Sequence, residues 1–130
     1  MMNKAVELLQ KSKVFYIATI DGDQPRVRPY GAVAEIDGKL YICTNNKKPS
    51  FRQMQANPKV EISGLLGEDK WFRINGIVKV DSRTEVRAEF LKQVPLPIYK
   101  ADDGIFEVLY FESGTATISS FTGEPETFAV

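Results

Sequence analysis

Three short stretches of this chain carry side chains that can bind or react. In Pro25-Arg26-Val27-Arg28-Pro29-Tyr30-Gly31, strand alternation puts Arg26, Arg28 and Tyr30 on one face, two fixed cations beside an aromatic ring. Pro29 cannot donate to a ladder, so the strand is irregular or at an edge there. Gly31 lets a ligand come close to the backbone. The same residues also read as a solvated strand face with an edge-protecting proline. Residues 43–50 (CTNNKKPS) combine Cys43, Thr44, Asn45 and Asn46 with two lysines, and Ser50 stands at the start of a helix. Free backbone N–H groups at a helix start, with Lys48 and Ser50 beside them, suit a phosphate. A polar connection in which Ser50 only caps the helix accounts for them equally. In residues 71–76 (WFRING), Trp71, Arg73 and Asn75 share a strand face, fit to stack on a planar ligand or to make ordinary cross-strand pairs.

Composition narrows the chemistry. The chain has no histidine, which excludes zinc hydrolases, Ser–His and Cys–His nucleophile systems and His-ligated haem. Cys43 is the one cysteine, so there is no intrachain disulfide, and a small buried residue is its expected role. Seventeen basic residues balance 17 acidic ones, without the basic excess of a nucleic-acid or anionic-membrane binder. With 130 residues, 43% hydrophobic and 26% charged, residues 1–130 are expected to form a single globular domain. No stretch reaches transmembrane length and the N-terminus does not read as a secretory signal, so the expected location is the cytoplasm.

The elements that must position these residues are mostly strands. Residues 3–12 read as a helix capped by Asn3, and residues 14–20 (VFYIATI) as a strand buried on both faces. After a turn at 21–25 come a strand over 26–36, an Asp37-Gly38 hairpin and a strand over 39–44. Ser50 and Gln53 have capping-box spacing for a helix over 50–57, stopped by Pro58. Further strands are expected at 59–66, 71–80, 105–112 and 115–121, with turns at 67–69 and 113–114. A helix over 83–93 and a loop over 94–104 lie between the second and third of these. This pattern predicts a mainly β fold with short helices, a small antiparallel barrel. Residues 105–112 are apolar on both faces; one barrel core covers only one of them. The other needs helices or a second subunit, and a homodimer is expected.

In order and spacing, these segments resemble the pyridoxamine 5′-phosphate oxidase-like family of FMN-binding split barrels. The resemblance is close over residues 14–80. An apolar strand ends in a polar turn with Gly and Pro, Arg28-Pro29-Tyr30-Gly31 follows, and the next hairpin strand ends in Thr44-Asn45. A basic, hydroxyl-bearing loop then leads into a short helix and Asn57-Pro58-Lys59-Val60, and Gly76 matches a glycine of the following strand.

The resemblance implies a Greek-key-like split barrel, homodimeric, with FMN at the subunit interface. Arg28, Lys48, Thr44 and Ser50 would hold the phosphate, with Arg26 and Asn45 beside them. Backbone groups of Pro29, Tyr30, Gly31 and Cys43 would address the ring edge. Trp71 stands where the oxidases proper carry a flavin-contacting glutamine. Pro49-Ser50 replaces the oxidases' Arg-Lys pair, so Lys47 or Lys48 must substitute. The substrate-gripping C-terminal extension of true pyridoxamine phosphate oxidases is missing, and the short form is closer to the nitroimidazole-reductase and general-stress branches. Electron transfer from NAD(P)H to a small acceptor is the implied activity; a flavin-binding or redox-sensing module without turnover is the alternative.

Overall fold

The computed structural model describes residues 3–130. Helix α1 (Lys4–Ser12) begins where the Asn3 side chain accepts from the backbone N–H groups of Ala5 and Val6. Strands β1 (Phe15–Asp21), β2 (Gln24–Tyr30), β3 (Val33–Ile36) and β4 (Lys39–Asn45) follow, and then helix α2 (Pro49–Ala56). The antiparallel pair β5 (Lys59–Leu65) and β6 (Lys70–Asp81) leads to helix α3 (Thr84–Gln93). Strand β7 (Phe106–Ser120) and a short β8 (Glu126–Ala129) complete the chain. No helix among the described residues is long and apolar enough to cross a membrane.

All strands join one antiparallel sheet in the order β2-β1-β5-β6-β7-β4-β3, with β8 beside the far half of β7. Strands β2 and β3 are the two ends of that order, yet only Gly31 and Ala32 connect them. Three residue steps of backbone span at most about 11 Å, so the two ends must come close together. The sheet therefore curls into a barrel that stays split along the β2/β3 seam.

Inside it lies the main core, including Phe15, Ile17, Ile42, Ile62, Phe72, Ile74, Leu109 and Phe111. Helix α1 contributes Val6 and Leu9 to that core, and α2 contributes Met54. A second cluster lies outside the barrel. There Val86 and Phe90 of α3 cover Ala34, Tyr41, Phe106 and Val108. Asp81 fastens this layer: Tyr41 Oη donates to its Oδ2 at 2.8 Å, and Arg83 closes on both its oxygens at 3.0 and 2.8 Å.

The structure departs from the sequence reading at four places. The strand expected over 26–36 breaks at Gly31, where the chain crosses the seam. Residues 113–114 are not a turn, and β7 runs straight through them. Opposite Ile77 and Val78 its register shifts, leaving Glu112 as an extra residue without a cross-strand partner on β6. Of the two covers expected for the outer face of 106–110, helices or a second subunit, α3 supplies the first. Strand β1 alternates buried and exposed, and Tyr16 is 51% exposed, because no layer among the described residues covers its outer side. Strand β8 was not anticipated.

Candidate functional site

Arg28 sits opposite Ile17 on β1, so its side chain leaves β2 on the barrel side of the sheet. Its Nη1 donates to Thr19 Oγ1 at 2.8 Å and to the Ile17 carbonyl at 3.3 Å, and its Nη2 donates to Gln53 Oε1 at 3.0 Å. The Thr19 hydroxyl donates in turn to Gln53 Oε1 at 2.6 Å. All of these acceptors are neutral, so the guanidinium is held in place without losing its charge to a carboxylate.

Helix α2 carries the arrangement on to the next group. Gln53 and Ser50 are three residues apart and share the inward helix face; Ser50 is buried. The hydroxyls of Ser50 and Thr44 lie 3.4 Å apart. Lys48 occupies the N-cap without a side-chain cap bond, and Pro49, at the first helical position, has no N–H to satisfy. The capping box expected for Ser50 and Gln53 is therefore not made. The helix starts one residue earlier, and Gln53 instead reaches Thr19 and Arg28. Thr19 and Gln53 are the members that sequence reasoning missed; Gln53 is three positions after Ser50, which also marks a shared helix face.

The structure thus joins Arg28 to Thr19 and Gln53, and Thr44 to Ser50 one helical turn earlier on α2, with Lys48 at the N-cap. The other candidates stand apart from them. Arg26 is exposed and pairs with Asp21 at 3.2 Å. Tyr30 packs on Phe15 with ring centroids 6.3 Å apart, and its hydroxyl is buried without a hydrogen-bond partner. Pro29 lies on an edge strand paired only with β1, and Gly31 stands in the seam. Cys43 and Asn45 alternate with Thr44 along β4 and face the α3 layer; Asn45 Nδ2 donates to Tyr99 Oη at 2.6 Å. Burial pushes the Cys43 thiol up to about 12, against the opposing charge of Lys48. Trp71 packs on Phe121 on the outer sheet face, centroids 5.0 Å apart.

A cleft of about 710 Å³ lies on the opposite, outer face of the sheet, and of the residues above only Thr19 is on its lining. Ala18 and Ile20 of β1, Lys59 and Glu61 of β5, and the facing glycines 76 and 114 also line it.

The family model described as pyridoxamine 5′-phosphate oxidase matches residues 1–112. The chain belongs to this family. Among solved structures it is similar to a NimC/NimA family protein from Clostridium acetobutylicum, at 53% identity and a TM-score of 0.94, over 99% of this chain and 93% of that one. Two more distant family folds resemble it as folds alone. One is a heme binding protein from Mycobacterium smegmatis (16% identity, TM-score 0.73, 97% of this chain and 56% of that one). The other is a pyridoxamine 5′-phosphate oxidase-related, FMN binding protein from Nostoc punctiforme (14%, 0.61, 98% and 93%). A search of curated proteins finds no match.

The site fits the phosphate end of FMN. An anion needs fixed cations, hydroxyl donors and a helix start, with no carboxylate turned on them. Arg28, held by the neutral Thr19–Gln53 pair, the Thr44 and Ser50 hydroxyls, and Lys48 at the N-cap of α2 are the residues that would hold it.

Proposed function

We propose that the protein binds FMN and acts as an oxidoreductase, passing electrons from NAD(P)H to a small acceptor. The observation that carries this reading is Arg28, oriented by three neutral oxygens, one of them on Gln53, a helical turn from Ser50, with no carboxylate among its partners. Family membership supports the same reading. Bound flavin supplies the hydride and electron chemistry. The chain's own residues do the rest. Arg28 and Lys48 attract and orient the phosphate, Thr44 and Ser50 donate to it, and the edge backbone of residues 29–31 offers unpaired polar groups beside the seam. No proton-transferring side chain is required, which suits a site without histidine. The cytoplasm is its proposed location.

The protein is also proposed to work as a homodimer through the outer face of β1, β2 and β5. There Tyr16, Val27 and Leu65 are 51%, 67% and 70% exposed on one uncovered surface. A charge placed at Tyr16 or Leu65 should give monomers by light scattering; a variant still dimeric puts the interface elsewhere.

The decisive experiment is the visible spectrum of the purified protein with its released cofactor identified by mass, followed by NAD(P)H oxidation with added acceptors. A flavin spectrum with turnover supports the whole reading, and flavin without turnover for any acceptor leaves a binding or redox-sensing module. Protein that neither carries nor takes up FMN refutes it.

A further inference from the structure

Residues 45–48 lead from β4 into α2, and three of the proposed phosphate ligands, Thr44, Lys48 and Ser50, lie on this loop or at its ends. Its two asparagine side chains are both committed. Asn45 donates through Nδ2 to Tyr99 Oη at 2.6 Å, while its Oδ1 accepts from the Lys47 backbone N–H at 3.0 Å. Asn46 donates through Nδ2 to the Gly104 carbonyl and to Glu107 Oε2, both at 2.9 Å, and its backbone N–H donates to the Ile105 carbonyl at 2.9 Å. The other Glu107 oxygen accepts from Arg87 Nη2 of α3 at 3.2 Å.

Every one of these outside partners comes from α3 or from residues 99–107, more than 40 positions along the chain. That segment is itself well held. The Asp103 carboxylate accepts from the backbone N–H groups of Lys100, Ile105 and Phe106, and the Tyr99 ring packs 5.0 Å from that of Phe106. The nearly buried Glu107 carboxylate is stabilised only while Arg87 and Asn46 face it. Both anchors therefore act on the loop, and the loop carries Lys47, Lys48 and the start of α2.

We propose that Tyr99 and Glu107 are positioning residues for the phosphate loop. They fix where Lys48 and the α2 start stand, and so set the affinity for a phosphate-bearing ligand that neither of them touches. The inference rests on the phosphate reading of residues 44–50. It adds a specificity that the reading lacks: loosening the anchors should cost binding at the phosphate end alone.

The test titrates FMN and riboflavin, which lacks the phosphate, into wild type, Tyr99→Phe and Glu107→Gln, following flavin fluorescence. Tyr99→Phe keeps the ring on Phe106 and removes one hydrogen bond, and it carries the test if Glu107→Gln fails to fold. Each variant should bind FMN roughly three- to tenfold more weakly with riboflavin affinity unchanged. Equal losses for both ligands, or none for either, overturn the proposal. Wild type that binds neither flavin removes the phosphate reading, and amide exchange then decides the anchoring by itself. The Lys47 and Lys48 amides should exchange severalfold faster in Tyr99→Phe, with those of β1 unaffected; unchanged exchange there overturns it.

Discussion

Arg28 and Gln53, 25 positions apart, meet through a 3.0 Å hydrogen bond, and the amide oxygen that receives it also accepts from Thr19. A neutral amide in this place orients the guanidinium and leaves its charge available. A carboxylate would orient it equally well and neutralise it. The choice of residue at position 53 therefore separates the structural role of Arg28 from its electrostatic one.

Arg28→Ala should weaken FMN binding roughly ten- to a hundredfold, the range expected when a charged hydrogen-bond partner is removed. Gln53→Glu should do nearly as much harm while leaving the fold at least as stable. Riboflavin should bind either variant as it binds wild type. Fluorescence titration with thermal melts checks this; FMN affinity unchanged in both variants would place the phosphate elsewhere.

Cys43 should be a poor nucleophile. With its thiol pushed up to about 12 by burial, roughly one molecule in ten thousand is thiolate at pH 8. Alkylation by iodoacetamide should therefore be far slower than for a free thiol, and it should accelerate only in denaturant. Rapid labelling of native protein by mass spectrometry contradicts this.

What the sequence revealed of this fold depended on how local each signal was. The strand over 14–20 and the Asp37-Gly38 hairpin are written in neighbouring residues, and both are legible, whereas the one-sided burial of β1 is not. Ser113-Gly114 reads as a turn by composition, yet Gly114 pairs with Gly76 across the ladder, and only knowledge of the partner strand reveals that. Strand β8 is only four residues long and half polar, and its neighbour Thr115–Ile118 supplies the order its own residues do not specify. At the site, Arg28, Thr44, Lys48 and Ser50 were recognisable because the resemblance assigned them together. Thr19 and Gln53 were not, because their roles exist only once α2 packs against β1. The segment 94–104 looked like a plain connection, since its ties to Asn45 and Asn46 span more than 50 residues.

Glycine 114 is required by space. A Cβ there would strike the Asn75 carbonyl oxygen and lie 3.2 Å from the Gly76 Cα. Both are backbone atoms, so no side-chain rotation relieves the clash. Gly114→Ala should destabilise the protein by about 2 kcal/mol or more, seen as a melting point several degrees lower. Gly22→Ala, in open space within a turn but at a φ of +65°, should cost about 1 kcal/mol. The order of the two melts is the check.

Asp81 gives the fold a pH dependence of defined sign. The Arg83 guanidinium beside it, helped by the Tyr41 hydroxyl, lowers its carboxyl to about 2 in the folded protein, below an ordinary value of 3.8. The folded state therefore binds its proton less readily than the unfolded chain. The resulting stability is complete above about pH 5 and is lost as pH falls from 4 through 2. Arg83 is half-exposed, so solvent screens the pair, and the contribution is about 1–2 kcal/mol. Urea melts of wild type at pH 7 and pH 3 should differ by more than those of Asp81→Asn, which keeps the shape without the charge. Asp81→Asn should also be the less stable at pH 7, because Arg83 and Tyr41 lose their anionic acceptor. Equal pH dependence in the two proteins would show that the acid sensitivity resides in other carboxylates.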